Sequence, residues 1–410
     1  MALFKKCQTL RGTARILTLA VVVVEPGVGF AQALAAPVDE LVHTIASIEQ
    51  REPDGARSAA LIDPLQTLAL RYQENGSHER AAVVIERALD VVRVNYGLHS
   101  LEQAPLIRLS IDNEEARGNH SAVWALEQEL LILAKRHPDD LRTVPIFREI
   151  ADKRMDTRQR YIAGEYIPEI VVGCYYRYQR SNAPPEGCSS GSMGVAAGNL
   201  LLDAQQYYDD AIEVLLRHEL YSSDELRELE MTVIRDNYFY GDEAFPVSRY
   251  EQGKERFRRL IDYGAKNSAL LIQIDALVQI ADWELMYSNN ALALETYEQA
   301  YERLMQEDVR QESIKQLYSP NTPIVLPAFL PNPLVSEETR QSTGFIDVAF
   351  AITRYGKSRQ IEILDTTTNA SKAAVEDLTR LISSYRFRPR TEDGQFERRS
   401  PVVVRYYLNE

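Results

Sequence analysis

The chain has 410 residues, of which 45% are hydrophobic, and its formal net charge is −14. This composition excludes an intrinsically disordered or fibrous protein, because the apolar fraction is that of a globular core and glycine and proline are few. The acidic charge argues against a general nucleic-acid-binding protein, whose affinity comes mainly from lysine and arginine neutralising phosphates. At roughly 150 residues per domain, the length predicts two or three domains.

Residues 1–35 have the order of a secretory signal peptide. Basic residues come first, an apolar run from Ile16 to Val24 follows, and Ala31-Gln32-Ala33 and Ala33-Leu34-Ala35 offer small-residue cleavage sites. A membrane span needs about 20 apolar residues, and this run ends at Glu25. We therefore expect export with cleavage of this segment; an uncleaved inner-membrane anchor is the alternative.

Cys174 and Cys188 are the cysteines that would remain after cleavage. They flank a stretch rich in turn-forming residues, which can fold back on itself. In an oxidising compartment they are candidates for a disulfide, worth roughly 3 kcal/mol in the chain-entropy model. Two free thiols are the alternative, and their spacing fits neither a redox motif nor a zinc cluster.

Residues 36–318 carry helical periodicity in repeated pairs. Large residues lie on one face of a first helix, a glycine lies near its end, and small residues lie on a second helix where the two must approach closely. The first unit comprises Leu65, Leu68, Ala69, Tyr72, Gly76, Ala81, Ile85 and Ala88, and similar offsets recur at Leu277, Ile280, Ala281, Ala293, Tyr297 and Ala300. A weaker unit surrounds Gly118. The pattern resembles a tetratricopeptide repeat, which implies an α-solenoid that binds protein or serves as a spacer.

Residues 319–342 contain repeated prolines, which break both helix and strand and predict an extended linker. Beyond it, Gly344 to Ile352 alternates as a strand and turns at Gly356, and a second strand follows at Gln360 to Leu364. Helical periodicity returns from Ser371 to Ser384, and the chain closes on a Val- and Tyr-rich strand. Together the sequence predicts an α+β multidomain protein, with an α-solenoid followed by a small domain of antiparallel strands and one helix.

The G-x-I-x-V-x-F-x-I strand, the Gly356 turn, the Phe387-Arg388-Pro389 tripeptide and the terminal strand occur in this order over residues 343–410. This segment resembles the C-terminal domain of TonB-family proteins. The resemblance implies docking on TonB-dependent outer-membrane receptors, through a receptor segment that adds a strand to an exposed sheet edge. The candidate partner-binding edge is the terminal strand: Val402, Val403, Val404, Arg405, Tyr406, Tyr407 and Leu408.

The resemblance, with the export signal, leads us to expect a periplasmic protein-interaction adaptor. Family members that transduce energy have an inner-membrane helix associating with ExbB and ExbD, and a long proline-rich arm. The short linker departs from that pattern, so an anchored energy transducer for outer-membrane transport is the alternative.

A local excess of basic residues precedes the terminal strand, as a candidate patch for an acidic partner or lipid headgroup. It comprises Arg386, Arg388, Arg390, Arg398 and Arg399. The histidines lack metal-ligand spacing, and no phosphate-binding glycine loop or catalytic serine motif is present. We expect no enzymatic activity, no cofactor or metal, and no nucleic-acid partner.

Overall fold

The computed structural model describes residues 37–165, 193–221, 223–240, 249–306, 322–330, 344–367, 371–392, 395–396 and 399–408. These residues are mostly helical, with a small antiparallel sheet near the C-terminus, which confirms the α+β layout. They belong to two compact units that divide between Leu126 and Glu127. The division does not coincide with the predicted boundary at the proline-rich stretch. The sheet belongs to the same unit as the helices from residue 127 onward.

The described helices are, in chain order, α1 (Val38–Arg51), α2 (Ile62–Glu74), α3 (His78–Tyr96), α4 (Ala104–Ala116), α5 (His120–Lys135), α6 (Val144–Ile162), α7 (Met193–Arg217), α8 (Asp224–Tyr240), α9 (Arg249–Lys266), α10 (Leu270–Met286), α11 (Asn290–Gln306) and α12 (Lys372–Ser384). Short 3₁₀ turns precede α2, α4 and α6.

Six of these helices end in the same kind of turn. A residue with positive φ is followed by one whose backbone N–H donates to the carbonyl five positions earlier. This Schellman arrangement satisfies carbonyls that the helix end leaves without partners. The positive-φ residues are Gly76, Gly118, Gly164, Glu219, Ser268 and Ser288. The glycines that mark the repeats in the sequence therefore lie at these turns.

Helices α2 and α3 form the pair predicted around Gly76. Leu65, Leu68 and Ala69 of α2 are buried, as are Ala81 and Ile85 of α3. Fully burying a leucine or isoleucine side chain contributes about 1.5–3 kcal/mol, and the alanines allow the two backbones to approach closely. This helical pair thus has the face that its sequence offsets predict.

Helices α10 and α11 form a second pair, joined at Ser288. Their shared core contains Leu277 and Ala281 from α10 and Ala293, Tyr297 and Ala300 from α11. Leu277 is 9% exposed and the other four are at most 1% exposed. This pair, too, lies where the sequence offsets predict.

The C-terminal strands are β1 (Gly344–Thr353), β2 (Ser358–Thr366), β3 (Thr391–Glu392), β4 (Gln395–Phe396) and β5 (Arg399–Leu408). Strands β2, β1 and β5 form a three-stranded antiparallel sheet in that order, and β3 and β4 form a small separate hairpin. Alternate residues of β1 and β5 pack with Leu378 and Ile382 of α12 in one core. Ser371 caps α12 by accepting a hydrogen bond from the backbone N–H of Ala374 at 3.1 Å.

Residues 322–330 lie between the helices and the sheet. Val325 is part of the sheet core and Leu326 is part of the α10–α11 core. The backbone N–H of Leu326 donates to the carbonyl of Arg386 at 2.8 Å, and that of Arg388 donates to the carbonyl of Ile324 at 2.9 Å. These nine residues belong to the predicted extended linker, 319–342, and they bury apolar side chains against both the sheet and the helices.

An ion pair between Arg388 and Asp282 of α10 adds to this contact. The arginine is 7% exposed and the aspartate 3%. The guanidinium engages both carboxylate oxygens, with Nε 3.0 Å from Oδ1. Burial alone would lower the pKa of Arg388, but the adjacent Asp282 carboxylate outweighs it and raises that pKa. The sheet is thus docked on the helices through both apolar and charged contacts.

Candidate functional site

Strand β5 is an outer strand of the sheet. It pairs with β1 in an unbroken register of consecutive residues, from Gly344 opposite Leu408 to Thr353 opposite Arg399. Among the described residues no strand pairs with its other side. The predicted edge, Val402 to Leu408, therefore lies at an edge of this sheet.

The backbone groups that face the open side of β5 follow from the pairing of β1. The N–H of Phe345 bonds to the hydroxyl of Thr367 at 3.1 Å, and its carbonyl accepts from the Thr367 N–H at 3.1 Å. The backbone N–H and C=O groups of odd-numbered β1 residues thus point toward β2. In an antiparallel pair, the backbone groups of the β5 residues opposite them therefore point away from β1. Val403, Arg405 and Tyr407 each direct one N–H and one C=O outward.

Pro401 limits this open side. It has the same outward orientation but carries no N–H, and the guanidinium of Arg390 lies 3.4 Å from its carbonyl oxygen. The unpaired stretch therefore begins after Pro401.

The side chains of β5 alternate between two environments. Val402 and Val404 are buried in the core beneath the sheet, with Tyr406 packed partly against it. Val403 lies on the opposite face and is 62% exposed. A long regular edge with an exposed apolar side chain is a surface on which an additional strand can pair.

Arg405 is held on this exposed face. Its guanidinium makes two hydrogen bonds of 2.8 Å to the carboxylate of Asp347 and lies 4.0 Å from the ring centre of Phe345. The hydrogen bond from Arg405 lowers the pKa of Asp347. Asp347 was not among the predicted site residues. Ile346 faces the core, so its neighbour Asp347 faces the other side of the sheet. The register of β1 and β5 then places Asp347 opposite Arg405.

The other outer strand, β2, is less regular. Its pairing with β1 shifts register twice, between Asp347 and Val348 and between Ala349 and Ala351. Gln360, in the same strand, has a φ of 53°. Bulges of this kind twist an edge and oppose addition of a further strand. Of the two described edges, β5 is therefore the one suited to pairing.

Among the described members of the predicted basic patch, Arg388 does not lie at the surface. Including Arg388 was wrong, because its guanidinium is buried against Asp282. Arg386 donates to the carbonyl of Tyr355 at 2.7 Å, which uses its guanidinium to close the turn before β2. Arg398 and the side chain of Arg399 lie outside the described residues.

Two further predictions concern segments outside the described residues. These are the signal peptide at 1–35 and the disulfide candidate formed by Cys174 and Cys188. Within the described ranges, no helix is long and apolar enough to cross a membrane. In the same residues, no group of three or more His, Cys, Asp or Glu side chains could hold a metal ion.

No protein-family model matches the chain, and no curated protein matches it. Among solved structures, the chain is similar to the crystal structure of BtubC (BKLC) from P. vanneervenii. That match has 10% sequence identity and a TM-score of 0.33, and it covers 76% of this chain and 97% of that chain. A similarity at this level indicates neither fold nor function.

Proposed function

We propose that the chain is a periplasmic TonB-family adaptor whose C-terminal sheet binds an extended segment of an outer-membrane receptor along β5. The observation that carries the proposal is the unbroken β1–β5 register, which leaves the outward backbone groups of Val403, Arg405 and Tyr407 unpaired by any described strand. An incoming strand would use these groups for main-chain hydrogen bonds, each worth about 0.5–1.5 kcal/mol net.

The exposed face of the sheet supplies sequence preference in this proposal. Val403 offers apolar contact, while the Asp347–Arg405 pair offers a fixed acceptor and a fixed donor beside it. Because the pair is held by two hydrogen bonds, the receptor segment would meet a preformed surface rather than order it on binding.

The docking of the sheet on α10 and α11 supports an adaptor rather than a domain on a long free arm. Leu326 and Arg388 hold the sheet against these helices, so the edge is presented at a fixed orientation to them. In this proposal the tetratricopeptide-like helices either bind a second protein or act as the spacer that carries the edge.

Photo-cross-linking of the full chain in its host tests this proposal. A benzophenone amino acid replaces Tyr407, and a control variant carries it at Leu271, an exposed residue of α10. We expect position 407 to cross-link to an outer-membrane receptor, identified by mass spectrometry, and position 271 not to do so.

A second substitution isolates the backbone contribution. Val403→Pro removes an outward N–H without touching the β1 ladder, whereas Val403→Thr keeps it. We expect the cross-link to disappear with proline and to persist with threonine. A cross-link that proline does not diminish, or one only to proteins other than outer-membrane receptors, contradicts the proposal.

A further inference from the structure

The second compact unit contains an open groove between helices α7, α8 and α9. Its volume is about 450 Å³, and polar and charged side chains line it. That volume lies within the range of known ligand sites. None of its lining residues belongs to the sheet edge described above.

Two buried carboxamides, those of Gln205 and Asn237, line the groove, and we call this pair its floor. Gln205 of α7 is 8% exposed and Asn237 of α8 is 2% exposed. The Nε2 of Gln205 donates to the Oδ1 of Asn237 at 2.7 Å. That single bond leaves a carboxamide oxygen on one residue and an NH₂ group on the other without a partner among the described residues. Exchanging O and N in both amides leaves the same combination.

A network of ion pairs connects the three helices that line the groove. Arg256 of α9 lies 2.8 Å from Asp209 and 2.9 Å from Glu230. The hydroxyl of Tyr263 also donates to Glu230, at 3.1 Å. These contacts join the three helices, and Asp209 and Arg256 line the groove together with the two carboxamides, so the groove is held in place by the fold.

The rim changes sign along α9. Glu251 and Glu255 lie in its first half, and Arg258 and Arg259 follow. Arg258 is 3.7 Å from Glu255 and Arg259 is 3.9 Å from Glu230, and both side chains are 41% exposed or more. The Arg258–Glu255 pair is long and exposed on both sides, so it contributes little. Glu230, the partner of Arg259, is buried, but it keeps its shorter contacts with Arg256 and Tyr263. The rim arginines can therefore turn toward a ligand at small cost.

We propose that this groove binds an extended peptide, whose main chain pairs with Gln205 and Asn237 and whose charged side chains meet the rim. A peptide group carries one donor and one acceptor, which is the combination that the floor leaves open. A basic residue of the peptide lies against Glu251 and Glu255, and an acidic residue lies against Arg258 and Arg259. The inference deepens the helical half of the proposed function and rests on it.

The helix geometry sets the spacing of those two charges. Glu251 and Arg259, the outermost charges of the rim, are eight positions apart on α9 and therefore about 12 Å apart along its axis. An extended peptide advances about 3.3 Å per residue. The opposite charges in the peptide should therefore be three or four residues apart. Nucleic acid and phosphate ligands are disfavoured, because the acidic half of the rim repels them.

Selection from a phage-displayed library of random nonapeptides tests the proposal, with the full-length protein as bait and Asn237→Leu for counter-selection. We expect the enriched peptides to carry a lysine or arginine three or four residues from an aspartate or glutamate. Binding of the synthesised peptides, measured by fluorescence anisotropy, should weaken about tenfold in Asn237→Leu, as loss of a buried hydrogen bond predicts.

Three further variants complete the test. Arg258→Glu changes an exposed side chain and should weaken binding without affecting folding, whereas Gln206→Leu, on the exposed side of α7, should leave binding unchanged. Val403→Pro should also leave it unchanged. The groove assignment is overturned if the selected peptides lack the charge pattern, or if Asn237→Leu and Arg258→Glu bind them as tightly as the wild-type protein does. A persisting receptor cross-link at position 407 would show that the edge proposal stands without it.

Discussion

Replacing Arg388 by methionine removes the cation from the buried pair that docks the sheet on α10. Methionine keeps much of the aliphatic volume, so the change acts mainly on charge and hydrogen bonding. Asp282 would then be a buried carboxylate without its ionic partner, in a site where it is 3% exposed. Breaking a buried ion pair by removing one partner typically costs 3–5 kcal/mol.

The expected cost lies at the lower end of that range. Asp282 also accepts a hydrogen bond from the hydroxyl of Tyr297, which remains in the variant. We therefore expect the free energy of unfolding to fall by about 3 kcal/mol. The double variant Arg388→Met/Asp282→Leu should lose less, because it leaves neither charge unpaired.

The fluorescence of Trp283 reports on this site. Its side chain is 1% exposed and it adjoins Asp282 in α10. The chain has two tryptophans, so Trp124→Phe in all variants leaves Trp283 as the emitter. Urea unfolding followed at this tryptophan gives the free energies of the single and double variants.

Arg390→Met is the matched control, since that guanidinium makes a single 3.4 Å contact at the surface. It should change the free energy of unfolding by no more than about 0.5 kcal/mol. A loss below about 1 kcal/mol in Arg388→Met, or a loss in the double variant as large as the sum of the single ones, refutes the reasoning.

Three other changes probe backbone and charge. Ser288→Gly should stabilise the protein by about 1 kcal/mol, because φ is 68° there, and Gly76→Ser in the equivalent turn should destabilise it similarly; thermal unfolding that moves both variants in one direction contradicts this. Gly356→Ala should destabilise the chain by more than about 2 kcal/mol, because its Cβ would lie 2.3 Å from the Phe387 carbonyl oxygen; an unchanged midpoint argues against that contact. Because the pKa of Asp347 is lowered in the folded protein, its ion pair with Arg405 contributes fully to folding stability above the ordinary pKa of 3.8. That contribution is lost as the pH falls through the lowered pKa. Asp347→Asn should abolish this part of the pH dependence of stability. Hydrogen exchange of the β1 amides, measured as a function of pH, checks this; an unchanged pH dependence contradicts it.

Much of the fold could be predicted because its signals are local. The offsets around Gly76 and Gly118 placed helix pairs and the turns between them, since helix faces repeat over three or four residues. Alternation in β1 and β5 placed the sheet for the same reason, with a period of two. The open side of β5 was expected from a family resemblance, and the register of the strand pair identifies its outward residues.

The contacts that fix the sheet to the helices could not be predicted in this way. Arg388 and Asp282 are separated by 106 residues, and no periodic pattern links them. In sequence Arg388 is one arginine among several, so it was grouped with exposed neighbours. The prolines predict an extended linker over 319–342 because proline breaks regular structure, but Val325 and Leu326 within it are held by partners distant in sequence. Tertiary contacts of this kind leave no local trace.

Pro401 and Arg390 together determine how much chain β5 can accept. With no donor at residue 401 and its carbonyl occupied, pairing begins beyond Pro401, and the described outward groups from residue 403 to residue 407 span about 17 Å. A segment of roughly five residues fills that length completely. Pro401 therefore sets the position on β5 at which a guest strand can begin to pair.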